Sequence, residues 1–129
     1  MYQVASNKPS PHVLITKLRK QHPDIYKELI SDFKPLQHPF TLIEPLYKAT
    51  GDRILFFASM IMLYGKFDNP NNMPSRYLHH NAGLQISKIT GLFTSNVSTC
   101  LEQAAIYFRV PGFPEQVKQF IFDTVGITV

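Results

Sequence analysis

Residues 54–64 read ILFFASMIMLY, and how this stretch is interpreted settles the class of fold. Only Ser59 interrupts the apolar run from Ile54 to Tyr64. A helix of this composition is apolar almost all the way round, so it belongs in the middle of a core or in a subunit interface. Arg53 and Lys66 flank it. It falls far short of the ~18 consecutive apolar residues that a membrane span requires. Thr50-Gly51-Asp52 breaks the chain just ahead of it, and Asp52 is placed to cap the helix that follows.

Proline punctuates the sequence on both sides of this run, and the segments between prolines read as helices. Ser10-Pro11 is a start signal, with Leu14, Ile15 and Leu18 on one face. His22-Pro23 interrupts that helix and opens another. Its stripe is Ile25, Tyr26, Leu29, Ile30 and Phe33, and Pro35 ends it. Leu42, Ile43, Leu46 and Tyr47 have helical spacing, but Pro39 and Pro45 restrict that helix to a short one. Asp68-Asn69-Pro70-Asn71-Asn72-Met73-Pro74 is a loop by composition. It predicts a hinge between an N-terminal region, 1–67, and a C-terminal region, 75–129, within one compact domain. Beyond it, Ile86, Ile89, Leu92, Val97, Leu101, Ala104 and Ile106 predict two helices broken at Gly91. Val110-Pro111-Gly112-Phe113-Pro114 stops the second, and Val117, Phe120, Ile121 and Val125 form a last short helix. Arg76–His80 reads as the one short strand. The expected fold class is all-α, a small helical domain of about six or seven helices.

Composition bounds the function. The chain has 129 residues, a length that buries roughly two-thirds of the unfolded surface. Apolar residues make up 44 %, which excludes disorder as the main state. The single cysteine excludes an internal disulfide and a cysteine-based zinc site. With one thiol and a polar start at Met1–Ser10, a cytoplasmic location is expected. His79-His80 is the one histidine pair, and adjacent residues point in different directions, so no metal is expected there. No P-loop, dinucleotide fingerprint, GxSxG or HExxH is present, and the nine acids are dispersed. No enzyme activity and no cofactor are expected. Cys100 falls on a core position and reads as an inert thiol. Asn96-Val97-Ser98 matches a glycosylation pattern but lies in a predicted helix. Lys17, Arg19 and Lys20 form a small basic cluster, a solvated face or a backbone-phosphate patch.

The segment Gly83–Glu102, GLQISKITGLFTSNVSTCLE, carries a functional signal. Ile86 and the small Ser87 are followed four residues on by Gly91, then by apolar Leu92. Val97 comes five residues later and Cys100 three further, with Leu101 beside it. This spacing resembles the helix-turn-helix superfamily of DNA-binding domains, particularly its lactose-repressor and Cro-like branch. The resemblance covers about twenty residues, and Asn96-Val97-Ser98 stands where many such repressors have Thr-Val-Ser.

The resemblance implies a motif core of Ile86, Gly91, Leu92, Val97 and Leu101, with Gly91 turning the chain sharply. It implies a second helix whose outer face presents Thr94, Ser95, Ser98, Thr99 and Glu102 to double-stranded DNA, with Thr94 or Ser95 as its cap. After Arg109 the chain turns and becomes helical again, so a wingless motif is expected. Phe93 stands at a turn position that is usually polar, and the second helix has no Lys or Arg before Arg109. Residues 91–129 hold two cations against three acids, whereas residues 1–50 hold seven against four. Phosphate contacts are therefore expected from Lys88, Arg76, Arg109 and the N-terminal half. The implied function is sequence-specific DNA binding by a small transcriptional regulator, dimeric through Ile54–Tyr64. The alternative is a non-enzymatic interaction module that uses the same trihelical unit to bind protein.

Overall fold

A computed structural model describes residues 16–17, 19–24, 33–68 and 74–129. The chain divides into two units, residues 1–33 and 34–129. In the first, residues 16–17 and 19–21 are helical, and Lys17, Arg19 and Lys20 are exposed. The start signal at Ser10-Pro11, the stripe of Leu14, Ile15 and Leu18, the residues Ile25, Tyr26, Leu29 and Ile30, and loop residues 69–73 lie outside the described residues.

The named elements of the second unit are all helices among its described residues. A 3-10 turn, Phe40–Leu42, leads into α1 (Ile43–Ala49). Then come α2 (Arg53–Tyr64), α3 (Ala82–Thr90), α4 (Thr94–Tyr107) and α5 (Phe113–Val125). Helix α1 tolerates Pro45 because the first-turn N–H groups have no helical partner to lose. It turns Ile43 and Leu46 inward, and Glu44 meets Lys48 at 2.7 Å on the outside.

Helix α2 begins at a cap. One Asp52 carboxylate oxygen accepts the N–H groups of Ile54 (3.0 Å) and Leu55 (3.2 Å). From Phe56 to Tyr64 every residue is buried. Helices α1, α4 and α5 pack against α2, bringing Val97, Cys100, Leu101, Ala104, Val117 and Ile121 into the core. Helix α3 packs against α1 and α4 and adds Ala82 and Ile86. The polar member of the run is satisfied locally: Ser59 donates its hydroxyl to the Leu55 carbonyl at 2.8 Å. Phe56 stands edge-on to Phe57 (5.0 Å) and to Tyr47 (5.2 Å). Tyr64 donates to the Pro39 carbonyl at 2.8 Å, and burial pushes its phenol pKa well above the ordinary value.

This packing corrects the dimer expectation. The apolar faces of residues 56–64 are covered by the chain's own helices, so the segment offers no subunit interface. An all-round apolar helix serves either purpose, and here the neighbours in the same unit close over it.

After α2 the chain runs out and back as a narrow antiparallel ribbon instead of a strand within a sheet. Lys66 donates its N–H to Tyr77 (2.8 Å), His79 to Tyr64 (2.8 Å) and Ser75 to Phe67 (2.7 Å). Isolated bridges join Gly65 to Leu78 and Asp68 to Pro74. Lys34 pairs from the other side, its N–H reaching the Lys66 carbonyl at 2.6 Å. Gly65 permits this close approach: a Cβ there would sit 2.6 Å from the Ile61 oxygen and 2.8 Å from the Ser75 oxygen. Helix α5 starts earlier than its apolar stripe suggests. Pro114 lies within its first turn, where proline is favoured, and does not belong to the preceding stop.

Phe57→Ala should lower stability by about 3–5 kcal/mol, from lost burial and the cavity left behind. Tyr64→Phe should cost only about 1–2 kcal/mol, since it leaves the ring in place and strands one carbonyl. Urea unfolding at unchanged slope measures both. A Phe57→Ala chain with the parent's midpoint would remove α2 from the core.

Candidate nucleic-acid interface

Helices α3 and α4 are joined by three residues, Gly91, Leu92 and Phe93. Gly91 caps α3 with φ 75° and donates its N–H to Ser87. No other atom lies within 4 Å of where its Cβ would be, so the demand for glycine is one of backbone conformation and not of space. Leu92 is half-buried and packs against the core.

Two hydroxyls tie this turn down. Thr90 donates to the Ile86 carbonyl (2.7 Å) and accepts the N–H of Leu92 (3.2 Å). Ser87 donates to the Leu92 carbonyl. The N–H groups of Gly91 and Leu92 and the Leu92 carbonyl are thus met from within α3, which ties the turn to that helix. Sequence reading marked Ser87 only as a small residue and missed Thr90. The signal available was a pair of hydroxyl residues four and one positions before the glycine, each within reach of the turn.

Along α4 the inner positions are Val97, Cys100, Leu101 and Ala104, all buried. Thr94, Ser95, Ser98, Thr99 and Glu102 are exposed. Thr99 donates its hydroxyl to the Ser95 carbonyl at 3.1 Å, within the same exposed face. The helix has no side-chain cap. The expected capping by Thr94 or Ser95 fails because the N-cap position falls to Phe93, extended at φ −64° and ψ 152°. Thr94 is already the first helical residue, and Phe93 is 79 % exposed.

The expected cations are distributed unevenly. Lys88 is exposed on α3, with no ion pair among the described residues. Arg76, on the returning arm of the ribbon, reaches α4 and meets the Glu102 carboxylate at 3.1 Å. It also donates to the Tyr77 hydroxyl (3.1 Å) and lies 5.0 Å over the Tyr77 ring. The Tyr77 hydroxyl first, and the Glu102 carboxylate after it, raise the pKa of the Arg76 guanidinium above its ordinary value. Arg109 is exposed just past α4, and with Arg76 it lines a single cleft beside that helix. The histidine pair is split: Nε2 of His79 donates to the Lys34 carbonyl at 2.6 Å, and His80 faces solvent. His79 thus ties the ribbon to a residue 45 positions earlier, a role that no local pattern announces.

Comparison with protein-family models, curated proteins and solved structures found no match for the chain.

Gly91→Val should destabilise by more than about 1 kcal/mol, because a β-branched residue is strained at positive φ. Gly91→Asn should lose markedly less, since asparagine tolerates the left-handed region. Thermal melts of both variants check this. Equal losses would show that space and not backbone conformation sets the requirement.

Proposed function

We propose that this protein binds double-stranded DNA through α4 as a small transcriptional regulator, with α3 and the hydroxyl-tied turn fixing the angle of that helix. The observation that carries the reading is the division of α4. Its inner positions are buried, while Thr94, Ser95, Ser98 and Thr99 form an exposed hydroxyl face over its first turns. A helix in the major groove needs one face anchored and the other free to meet base edges, and hydroxyls there hydrogen-bond bases or phosphates. The uncapped N-terminus of α4 favours a phosphate oxygen. Lys88 supplies charge without sequence information. No helix among the described residues is long and apolar enough to cross a membrane.

A second reading has its own observation. Phe93 and Leu84 are 79 % and 54 % exposed, in the turn and on α3. Large apolar side chains at such positions favour contact with protein, which makes an interaction module the alternative.

Ser98→Ala combined with Thr99→Ala should reduce discrimination between a selected duplex and random duplex by about 1 kcal/mol or more, with little change in stability. Lys88→Ala should weaken binding to both duplexes and flatten the salt dependence by roughly one unit of slope. Anisotropy titrations at several salt concentrations separate the two effects. A parent chain that selects no sequence and binds no duplex at low salt would end the DNA reading in favour of the interaction module.

A further inference from the structure

The ribbon and the end of α4 border an open cleft of about 370 Å³, whose lining includes Asp68, Ser75, Arg76, Tyr77, Ala105 and Arg109. Two guanidinium groups in one small cleft repel each other unless an anion answers them. Two carboxylates stand nearby, and each already has a partner. Asp68 meets Lys34 at 3.6 Å, and Glu102 meets Arg76 at 3.1 Å. Arg109 has no ion pair among the described residues. The cleft therefore holds an arginine without an anion beside an arginine whose anion comes from a neighbouring, largely exposed side chain.

We propose that this cleft binds a phosphoryl group between Arg76 and Arg109, and that Glu102 is an internal stand-in which the phosphoryl group displaces. Arginine is the side chain suited to the task, since its planar fork matches phosphate oxygens in pairs. Tyr77 prepares Arg76 for it. The ring under the guanidinium fixes its plane, and the hydroxyl accepts one N–H while keeping its own proton to donate. Ser75 fixes Tyr77 in turn, its hydroxyl accepting the Tyr77 N–H at 3.0 Å. Displacing Glu102 is easy because an ion pair between exposed groups is weak. Ser98, Glu102 and Ala105 follow one another on α4 at spacings of four and three, so the face that carries Ser98 continues to Ala105 in the lining of the cleft, and Arg109 stands two residues past the end of the helix. The source of the phosphate rests on the DNA reading: a backbone phosphate lying at the C-terminal end of α4. A free phosphate ion offers the same chemistry.

Two titrations test the site. In the first, inorganic phosphate is added to the full chain while the arginine Nε–Hε resonances are followed by NMR. The Arg76 and Arg109 signals should move together and saturate, and in E102Q half-saturation should fall roughly two- to fivefold, the worth of an exposed ion pair. In the second, labelled random duplex is titrated. E102Q should tighten binding by a similar factor at every sequence, whereas R109A should weaken it and lower the salt slope by about 0.9. Urea midpoints establish that both variants are folded. If phosphate moves neither arginine, or E102Q leaves half-saturation where it was, the site is wrong even if duplex binds tightly. If phosphate titrates both arginines but no duplex binds, the cleft stands as a free-phosphate site and the DNA reading falls.

Discussion

A twelve-residue helix with no polar face must be covered from every direction, and the rest of the 34–129 unit is arranged by that requirement. Helix α1 covers α2 with Ile43 and Leu46, α5 with Val117 and Ile121, and α4 with Val97, Cys100, Leu101 and Ala104. Because α4 packs against both α2 and α3, its rotation about its own axis is determined by the core. The outward direction of Ser95, Ser98 and Thr99 is thus a consequence of burying Phe56 to Tyr64. Close packing of this kind resists adjustment, since a core helix that rotates loses contacts it cannot replace.

How much of this was legible in the sequence depends on the range of the interaction involved. Helices α2, α3 and α4 were readable because their signals are local: Asp52 ahead of the apolar run, Gly91 between two stripes, and buried positions spaced at three and four along α4. The start of α5 was misplaced because Pro114 reads equally as a stop and as a first-turn residue, and only packing decides between them. The ribbon was largely illegible. Its pairs join residues 64–68 to 74–79 through hydrogen bonds that leave no alternation of polar and apolar residues. His79 bonding to Lys34 and Arg76 reaching Glu102 lie further still beyond any local pattern. For the site, residue type and exposure on α4 were legible, but which cations stand beside it was not. The assignment of residues 54–64 to a dimer interface failed because an apolar helix carries no information about which chain will cover it.

The turn between α3 and α4 shows how few polar groups suffice to hold a short connection. Three residues change the chain's direction, and the orphaned carbonyls and N–H groups at the junction would be costly if left facing the core. Ser87 and Thr90 meet those of Leu92 from the last turn of α3, while Gly91 takes the left-handed conformation. Phe93 is then free of any structural task in the core, and its ring lies in solvent. A residue that the turn does not need, exposed beside an anchored helix, is available for a partner, whether that partner is a protein or the edge of a nucleic acid.

On the proposed reading, the electrostatics of α4 separate two duties that a recognition helix often combines. Its exposed hydroxyl face carries no cation, and the one charge on that face, Glu102, is negative and paired with Arg76. On the proposed reading, discrimination then falls to neutral hydrogen-bonding groups. Attraction to phosphate falls to Lys88 on α3 and to the cleft of Arg76 and Arg109 at the other end of α4. Such a division makes binding conditional. Glu102 holds one of the two cleft arginines in the free protein, so a phosphoryl group must compete with a carboxylate tethered beside it. A ligand whose phosphate is delivered to that spot by contacts elsewhere along α4 competes on better terms than a free ion, because tethering raises its effective concentration. Loose phosphates at low concentration would meet the carboxylate as a rival. On this reading the weak ion pair handicaps every anion by the same small factor, and tethering along α4 is what lets a duplex phosphate overcome it.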